Sequence, residues 1–484
     1  MSSVGKEIAK GTVYNAFAKY ASVIINLIVT AILARILTPS DFGAVALTTV
    51  FIMFFDLLGN MGFGPAIIQN KNLNNKDIAS IFNLTIIIAI VFATICYFSS
   101  GLVANYYHNA VLTSIMRLLS LQVLFTILNV VPYSLLLKNK EFKYISIATV
   151  SSNIAFGVIA VVAAFNGLGL YSLLITPIFS VLTLFVLYSI KSTKLYGTYY
   201  MSVLSGKSIK KVLSFSIYQF LFNLVNYFSR NLDKIIVGRQ FSMSDLGYYE
   251  KSYRLMTLPI SNISSVLTPS VQPVLSQFQD DKDRLKGYVS SIYKLLSFIG
   301  CVLTPYLFFA AREIILIVFG NQWEPAVPIF QILSLSVFIQ IIDSVSGSIL
   351  QSANAPKYLF VSGLICAIIN IISIVAGVYV WGTLNGLAVL LDIAFFLNLV
   401  VDLYYIFYVV LKTSISDVFE IFKHSLAILL LMGVCLFAVS ILPINNYIYS
   451  FVLKSTIMGL CALVYIRISR IFDYDTIKRI IKHK

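Results

Sequence analysis

Arg230, Asp233 and Lys234 lie in one apolar stretch at spacings of three and four, so a helix would carry them on one side. Glu250, Lys251 and Arg254 repeat the idea a little further on, with Glu250 and Arg254 four apart. Lys19 and Asp56 sit at similar depth in two earlier apolar stretches, and Lys294 in a later one. Ionisable groups in hydrocarbon are costly and usually face a protein interior or water, so each is a candidate for function. Lys19, Arg230, Lys234, Lys251 and Arg254 outnumber Asp56, Asp233 and Glu250 by five to three. Such a surplus suits an anionic ligand, because guanidinium groups hold phosphate bidentately and ammonium groups act as point charges. Tyr218, Tyr227, Tyr249 and Tyr253, together with Tyr248, are amphipathic rings able to serve as platforms for sugars.

Each residue also has a plainer reading. Arg230 with Asp233 is equally a charge pair that fixes helix orientation, Lys251 is placed to snorkel to an interface, and tyrosines near helix ends often form the interfacial belt. Asp343, Asp392 and Asp402 also lie in apolar stretches, and counting them with Lys294 brings acids and bases close to balance. The cationic reading therefore depends on which helices face the ligand. His108, His424 and His483 have no ligand partners nearby in sequence, and the five cysteines show no paired spacing, so neither a metal site nor a disulfide framework is suggested.

The elements that must position these residues are membrane spans. The chain is 59% hydrophobic and 11% charged, with a mean hydropathy of +0.89. Apolar runs of about 20 residues, enough to cross a hydrocarbon core of about 30 Å, follow one another along nearly the whole length. The expected fold is an all-α polytopic membrane protein with about fourteen spans, among them 212–238, 244–275 and 326–350. The first apolar stretch continues to Leu37 and reads as a full span, not a cleavable signal. Lys71 and Lys76, then Lys138, Lys140 and Lys143, then Lys207, Lys210 and Lys211 fall in loops on the side of the N-terminus. Only Arg35, Arg239 and Arg312 fall in loops on the other, so both termini are expected in the cytoplasm. The net charge of +15 follows from this topology and from attraction to anionic lipid, with no need for a nucleic-acid partner.

The segment RILTPSDFG at 35–43 is matched in residue types by RQFSMSDLG at 239–247. Other matches fall in register: GKEIAK at 5–10 with GKSIKK at 206–211, LLSL at 118–121 with ILSL at 332–335, and NGLGL at 166–170 with NGLAV at 385–389. The displacement is six helices, an even number, which implies two parallel six-helix repeats. The expected division is residues 1–200, then 201–411, then 412–484 holding two extra helices and a basic tail. Thr38 to Asp41 and Ser242 to Asp245 both fit the capping-box pattern. With Gly43 and Gly247 they read as a structural turn used once per repeat.

This layout resembles the multidrug/oligosaccharidyl-lipid/polysaccharide flippase superfamily, and within it the polysaccharide-transport branch of Wzx-like O-antigen, capsule and exopolysaccharide flippases. LARILTPSDFGAVAL at 33–47, DLLGNMGFGPAIIQ at 56–69 and RNLDKIIVGRQFSMSDLGYY at 230–249 carry the likeness, which extends over nearly the whole chain. The resemblance implies a V-shaped, two-lobed bundle in the bacterial cytoplasmic membrane, working by alternating access. Its cargo would be an undecaprenyl-pyrophosphate-linked oligosaccharide moved to the outer leaflet, with a polysaccharide polymerase and assembly machinery as further partners. It implies no organic cofactor.

Energetics agree with such an export. An anionic headgroup leaving a negative interior gains about 2.3 kcal/mol per charge per 100 mV, so two charges supply about 4–5 kcal/mol. The resemblance also allows H+ or Na+ antiport, for which Asp56, Asp233, Asp343 and Asp392 are the evident carriers, with Glu250 as a charge-pair partner. Two rival readings come from other classes. A membrane-embedded polymerase or glycosyltransferase would need QDDKD at 279–283 as a metal motif, in a loop too short to house a catalytic domain. A multidrug extruder would favour a net acidic cavity. With no GxxxxGK[ST] motif, ATP hydrolysis is not expected either.

Overall fold

The computed structural model describes residues 3–60, 62–70, 73–197, 224, 227–228, 230–444 and 446–469. Among the described residues the chain is helical, with no strand. In order the helices are α1 (Ser3–Ile36), α2 (Pro39–Asn60), α3 (Phe63–Gln69), α4 (Asn75–Tyr106), α5 (Val111–Lys138), α6 (Phe142–Phe165) and α7 (Ser172–Tyr196). A helical stretch over 230–240 leads to α8 (Met243–Leu275), α9 (Lys282–Phe309), α10 (Ala311–Val318), α11 (Ala326–Ser334), α12 (Val337–Asp343) and α13 (Ser346–Ser352). The last are α14 (Pro356–Ala376), α15 (Leu384–Leu403), α16 (Ile415–Ser440) and α17 (Tyr447–Ser469). π-helical turns extend α14 over Gly377–Trp381 and α15 over Tyr404–Val410.

Local chemistry sets the ends of these helices. Pro39 and Pro356 start α2 and α14, where a missing N–H costs nothing. Asn74 accepts from the Asp77 amide while the Asp77 carboxylate accepts from the Asn74 amide, a complete capping box for α4. Asp281 and Thr383 cap α9 and α15 through Arg284 and Gly386 amides. Lys138 donates to the carbonyls of Ile67 (3.1 Å) and Asn70 (2.7 Å), closing the C-terminal end of α3.

Among the described residues eleven helices are long and apolar enough to cross a membrane, and twelve if the bent pair Ala326–Ser334 and Val337–Ser352 is one span. The protein is a multi-pass membrane protein. The expected fourteen differ from this at identifiable places. Span 212–238 lies largely outside the described residues. Span 244–275 forms α8, a single 33-residue helix, but it is less apolar than the others and does not count among the eleven. Span 326–350 is bent by 48° rather than straight.

The helices gather into two compact units, Met1–Gly247 and Tyr248–Lys484. In the first, Phe63 and Ile67 of α3 pack with Ile78 and Phe82 of α4 and with Val131 and Leu135 of α5. In the second, Phe298, Cys301 and Val302 of α9 pack with Ile428, Met432 and Leu436 of α16, with residues of α17 alongside. Leu135 is fully buried. Leu135→Ala is expected to cost about 2–5 kcal/mol, read as a lower melting temperature of purified protein with α-helix content unchanged before the transition.

Candidate functional site

The two repeated turns have the same internal geometry. Thr38 donates to Asp41 Oδ2 from its amide (2.9 Å) and hydroxyl (2.8 Å), and the Asp41 amide donates back to Thr38 Oγ1 (3.3 Å). Ser242 donates to Asp245 Oδ2 from its amide (3.2 Å) and hydroxyl (2.7 Å), and the Asp245 amide donates to Ser242 Oγ (3.1 Å). Each set satisfies N–H groups that the start of α2 or α8 leaves without helical partners.

Within the first unit, bases and acids differ in exposure. Lys19 on α1 and Arg230 are exposed, Lys234 is half-buried and Asp233 is buried at 5% exposure. Asp56 on α2 is half-buried, its Oδ1 is enclosed without a hydrogen-bond partner, and no ion pair joins it to Lys19 among the described residues. The Tyr227 hydroxyl donates to the Val50 carbonyl at 2.6 Å, and the Tyr227 ring lies 5.5 Å from that of Phe54. Tyr218 lies outside the described residues.

The second unit makes the same distinction more sharply. Glu250 pairs with its neighbour Lys251 at 3.1 Å, not with Arg254, and both side chains are largely enclosed. Arg254, one turn on, is exposed, as is Lys294 on α9. Lys251 is therefore buried in an ion pair where snorkelling was one expectation. Tyr249 is fully buried and packs against half-buried Tyr253 with ring centroids 5.8 Å apart, so its faces are covered. Asp343, the last residue of α12, lies beside Asp402 of α15 and Ser346 of α13, and its Oδ1 is enclosed without a hydrogen-bond partner. Ser346 also meets the fully buried Tyr293 hydroxyl at 3.0 Å. Asp392 lies beside Ser336.

Sequence reasoning missed one constellation. Glu313 on α10 forms a buried ion pair with Lys454 on α17, and Glu313 Oε1 also accepts from Ser450 at 2.5 Å. Lys454 donates in addition to the Phe309 carbonyl at 2.7 Å. Lys454 stands within an apolar run, so the cost of intramembrane charge was the available signal. Among the described residues no three of His, Cys, Asp or Glu come together as a metal-ligand set.

Apolar helices in this order, with buried charge pairs inside them, define a polytopic membrane protein. The fold matches that of the lipid II flippase MurJ in an inward closed conformation, with a TM-score of 0.76, 18% identity, and 96% of this chain and 99% of that chain covered. The chain belongs to the polysaccharide biosynthesis protein family, whose pattern matches residues 32–328. Relatives include the teichuronic acid biosynthesis protein TuaB of Bacillus subtilis, 24% identical, with 91% of this chain and 90% of the relative covered. The succinoglycan biosynthesis transport protein ExoT of Rhizobium meliloti is also 24% identical, over 68% of this chain and 66% of its own length.

Proposed function

We propose that this protein is a flippase that moves an undecaprenyl-pyrophosphate-linked oligosaccharide from the cytoplasmic to the outer leaflet for assembly of a surface polysaccharide. Membership of the polysaccharide biosynthesis family, with relatives matched along most of the chain and one of them named a transport protein, carries this reading. The distribution of charge supports it. The acids of the candidate set in 230–254 are buried or held in the Glu250–Lys251 pair, while Arg230 and Arg254 are exposed. What each unit presents to a ligand is thereby more cationic than its composition, and guanidinium groups suit the phosphates of the carrier. Half-buried Tyr227, Tyr248 and Tyr253 are the remaining described platforms for sugar rings.

In this reading both termini are cytoplasmic, the protein carries out no bond-making step, and the polymerase acts downstream on the far side. The membrane potential helps an anionic headgroup leave, at about 2.3 kcal/mol per charge per 100 mV. If a coupling ion is used, the Asp343–Asp402 contact and Asp392 are the places to look for it.

The test is the leaflet distribution of labelled lipid-linked oligosaccharide in cells with and without the protein. Loss of the protein is expected to trap the complete repeat unit on the cytoplasmic face. A unit that reaches the outer face but stays unpolymerised would instead identify a polymerase, and an unchanged distribution would favour export of some other compound.

A further inference from the structure

Arg117 stands exposed on α5 with neutral partners. Its Nε donates to the Ser100 hydroxyl of α4 at 3.3 Å, and its guanidinium carbon lies 5.1 Å from the centre of the Tyr97 ring, also on α4. Among the described residues no carboxylate pairs with it. Ser100 is fully buried and donates its own hydroxyl proton to the Tyr97 carbonyl at 2.6 Å, so its oxygen is fixed as the acceptor for Nε. A guanidinium held by Nε, with a ring against one face, keeps its Nη1 and Nη2 donors available in the guanidinium plane. All these residues belong to the first unit.

The depth of Arg117 follows from the length of its helix. α5 has 28 residues and is about 42 Å long, against about 30 Å of hydrocarbon, and Arg117 lies about 9 Å from its first residue. Its Cα therefore comes within a few ångströms of the hydrocarbon boundary, and a snorkelling side chain reaches the depth of lipid phosphates. The surface around it is graded in the same sense. Toward the end of the helices Ser114, three residues before Arg117, accepts from the hydroxyl of exposed Tyr171 at 3.3 Å. Toward the middle, Ile95 and Phe98 of α4 and Leu121 of α5 are exposed and apolar. Polar groups, then a cation, then bare hydrocarbon complement a phospholipid from headgroup to acyl chain.

We propose that Arg117, held by Ser100 and Tyr97, binds the phosphate of one anionic phospholipid in the leaflet that meets the α4–α5 turn. The two non-bridging oxygens of a phosphodiester match the Nη1 and Nη2 donors, which is the bidentate pairing guanidinium groups favour. Charge selects the headgroup. A guanidinium without a counter-ion is costly at this depth, and a headgroup with one net negative charge neutralises it, whereas a zwitterionic headgroup brings an ammonium group of its own. The acyl chains of the same lipid then cover Phe98 and Leu121. On the export reading this is the outer leaflet, on the side away from the lysine-rich loops; the proposal rests on that reading for the name of the leaflet and for nothing else.

The experiment uses Leu121→Trp, on the exposed face one turn from Arg117, as a fluorescent reporter. Its quenching is measured in vesicles of phosphatidylethanolamine and phosphatidylglycerol, with one lipid or the other brominated in its acyl chains. The parent chain with Trp323 and Trp381 sets the background. At this reporter phosphatidylglycerol is expected to be preferred over phosphatidylethanolamine by about tenfold. Arg117→Ala is expected to abolish the preference, and Arg117→Lys to restore part of it, because charge returns without the fork. Ile154→Trp, exposed on α6, is expected to show little preference and no response to Arg117→Ala. Equal preference with and without Arg117 would overturn the proposal. So would the absence of any preference in the chain altered at Leu121 alone, which decides the matter if the alanine variant fails to accumulate. Excess inorganic phosphate, compared with sodium chloride of equal ionic strength, is expected to leave the quenching unchanged; displacement by it would assign the fork to a soluble phosphate and overturn the lipid. The assay holds no cargo, and surface glycan is scored separately in cells lacking the protein. Export left intact there, with an Arg117-dependent preference in the vesicles, keeps the site and removes the cargo, whereas lost export with no preference does the reverse.

Discussion

Arg254→Ala is expected to lower export of the lipid-linked repeat unit by about ten- to a hundredfold while leaving membrane abundance and melting temperature near those of the unaltered protein, because a hydrogen bond to a charged group contributes about 1.5–3 kcal/mol. The separation of the two effects follows from the local geometry. The nearby carboxylate, Glu250, has Lys251 at 3.1 Å, so removing Arg254 leaves it with a cationic neighbour. Arg254 is exposed, and its truncation opens no core cavity. Arg230→Ala is expected to behave similarly, since Arg230 is exposed on its own helical stretch. Arg254→Lys separates the two ways a base can hold phosphate. Full recovery by lysine means that charge suffices, whereas partial recovery means that the planar fork matters. The measurement is surface polysaccharide per cell, normalised to immunodetected protein. Wild-type export by both alanine variants would remove these arginines from the cargo path.

What was legible in the sequence was what depends on near neighbours along the chain. Thr38–Asp41 and Ser242–Asp245 are three residues apart, and a capping box is closed by groups the same turn supplies. Apolar runs long enough to span a bilayer are likewise a local property, and most of the expected spans are helices at the expected places. Choice of partner was less legible. Glu250 and Arg254 have ideal helical spacing, yet Glu250 pairs with Lys251 because that side chain is enclosed with it, and burial depends on the surrounding helices. Asp343 was visible as an intramembrane acid, but its contact with Asp402 joins α12 to α15 and has no signature along the chain. The bend in 326–352 was hidden for a related reason: apolarity continues through Ser336, and only the backbone shows the break. The meeting of Gly43 with Met243 and Gly247 is the extreme case. The duplication was plain to read, while the contact between the two turns runs across some two hundred residues, which no local pattern encodes.

The second large effect is expected at Lys454. Glu313 is 7% exposed and Lys454 4%, so the ion pair is held away from water. Ser450 and the Phe309 carbonyl complete the set, and together they tie α17 to α10 and to the end of α9. Lys454→Met removes the cation and strands the Glu313 carboxylate in an enclosed position with a hydroxyl as its remaining donor. Breaking a buried pair in this way costs about 3–5 kcal/mol, far more than the pair contributes over a well-packed apolar substitute. The single variant is therefore expected to melt well below the parent in detergent, and Glu313→Ala, which strands the ammonium group instead, is expected to do the same. Glu313→Leu combined with Lys454→Met is expected to regain most of the loss, because neither charge then remains to be solvated. A thermodynamic cycle over the two singles and the double measures the coupling directly. Additive losses would mean that the two side chains do not act as a pair. Strong recovery in the double variant, with export restored, would mean that α17 needs attachment at this place but not charge.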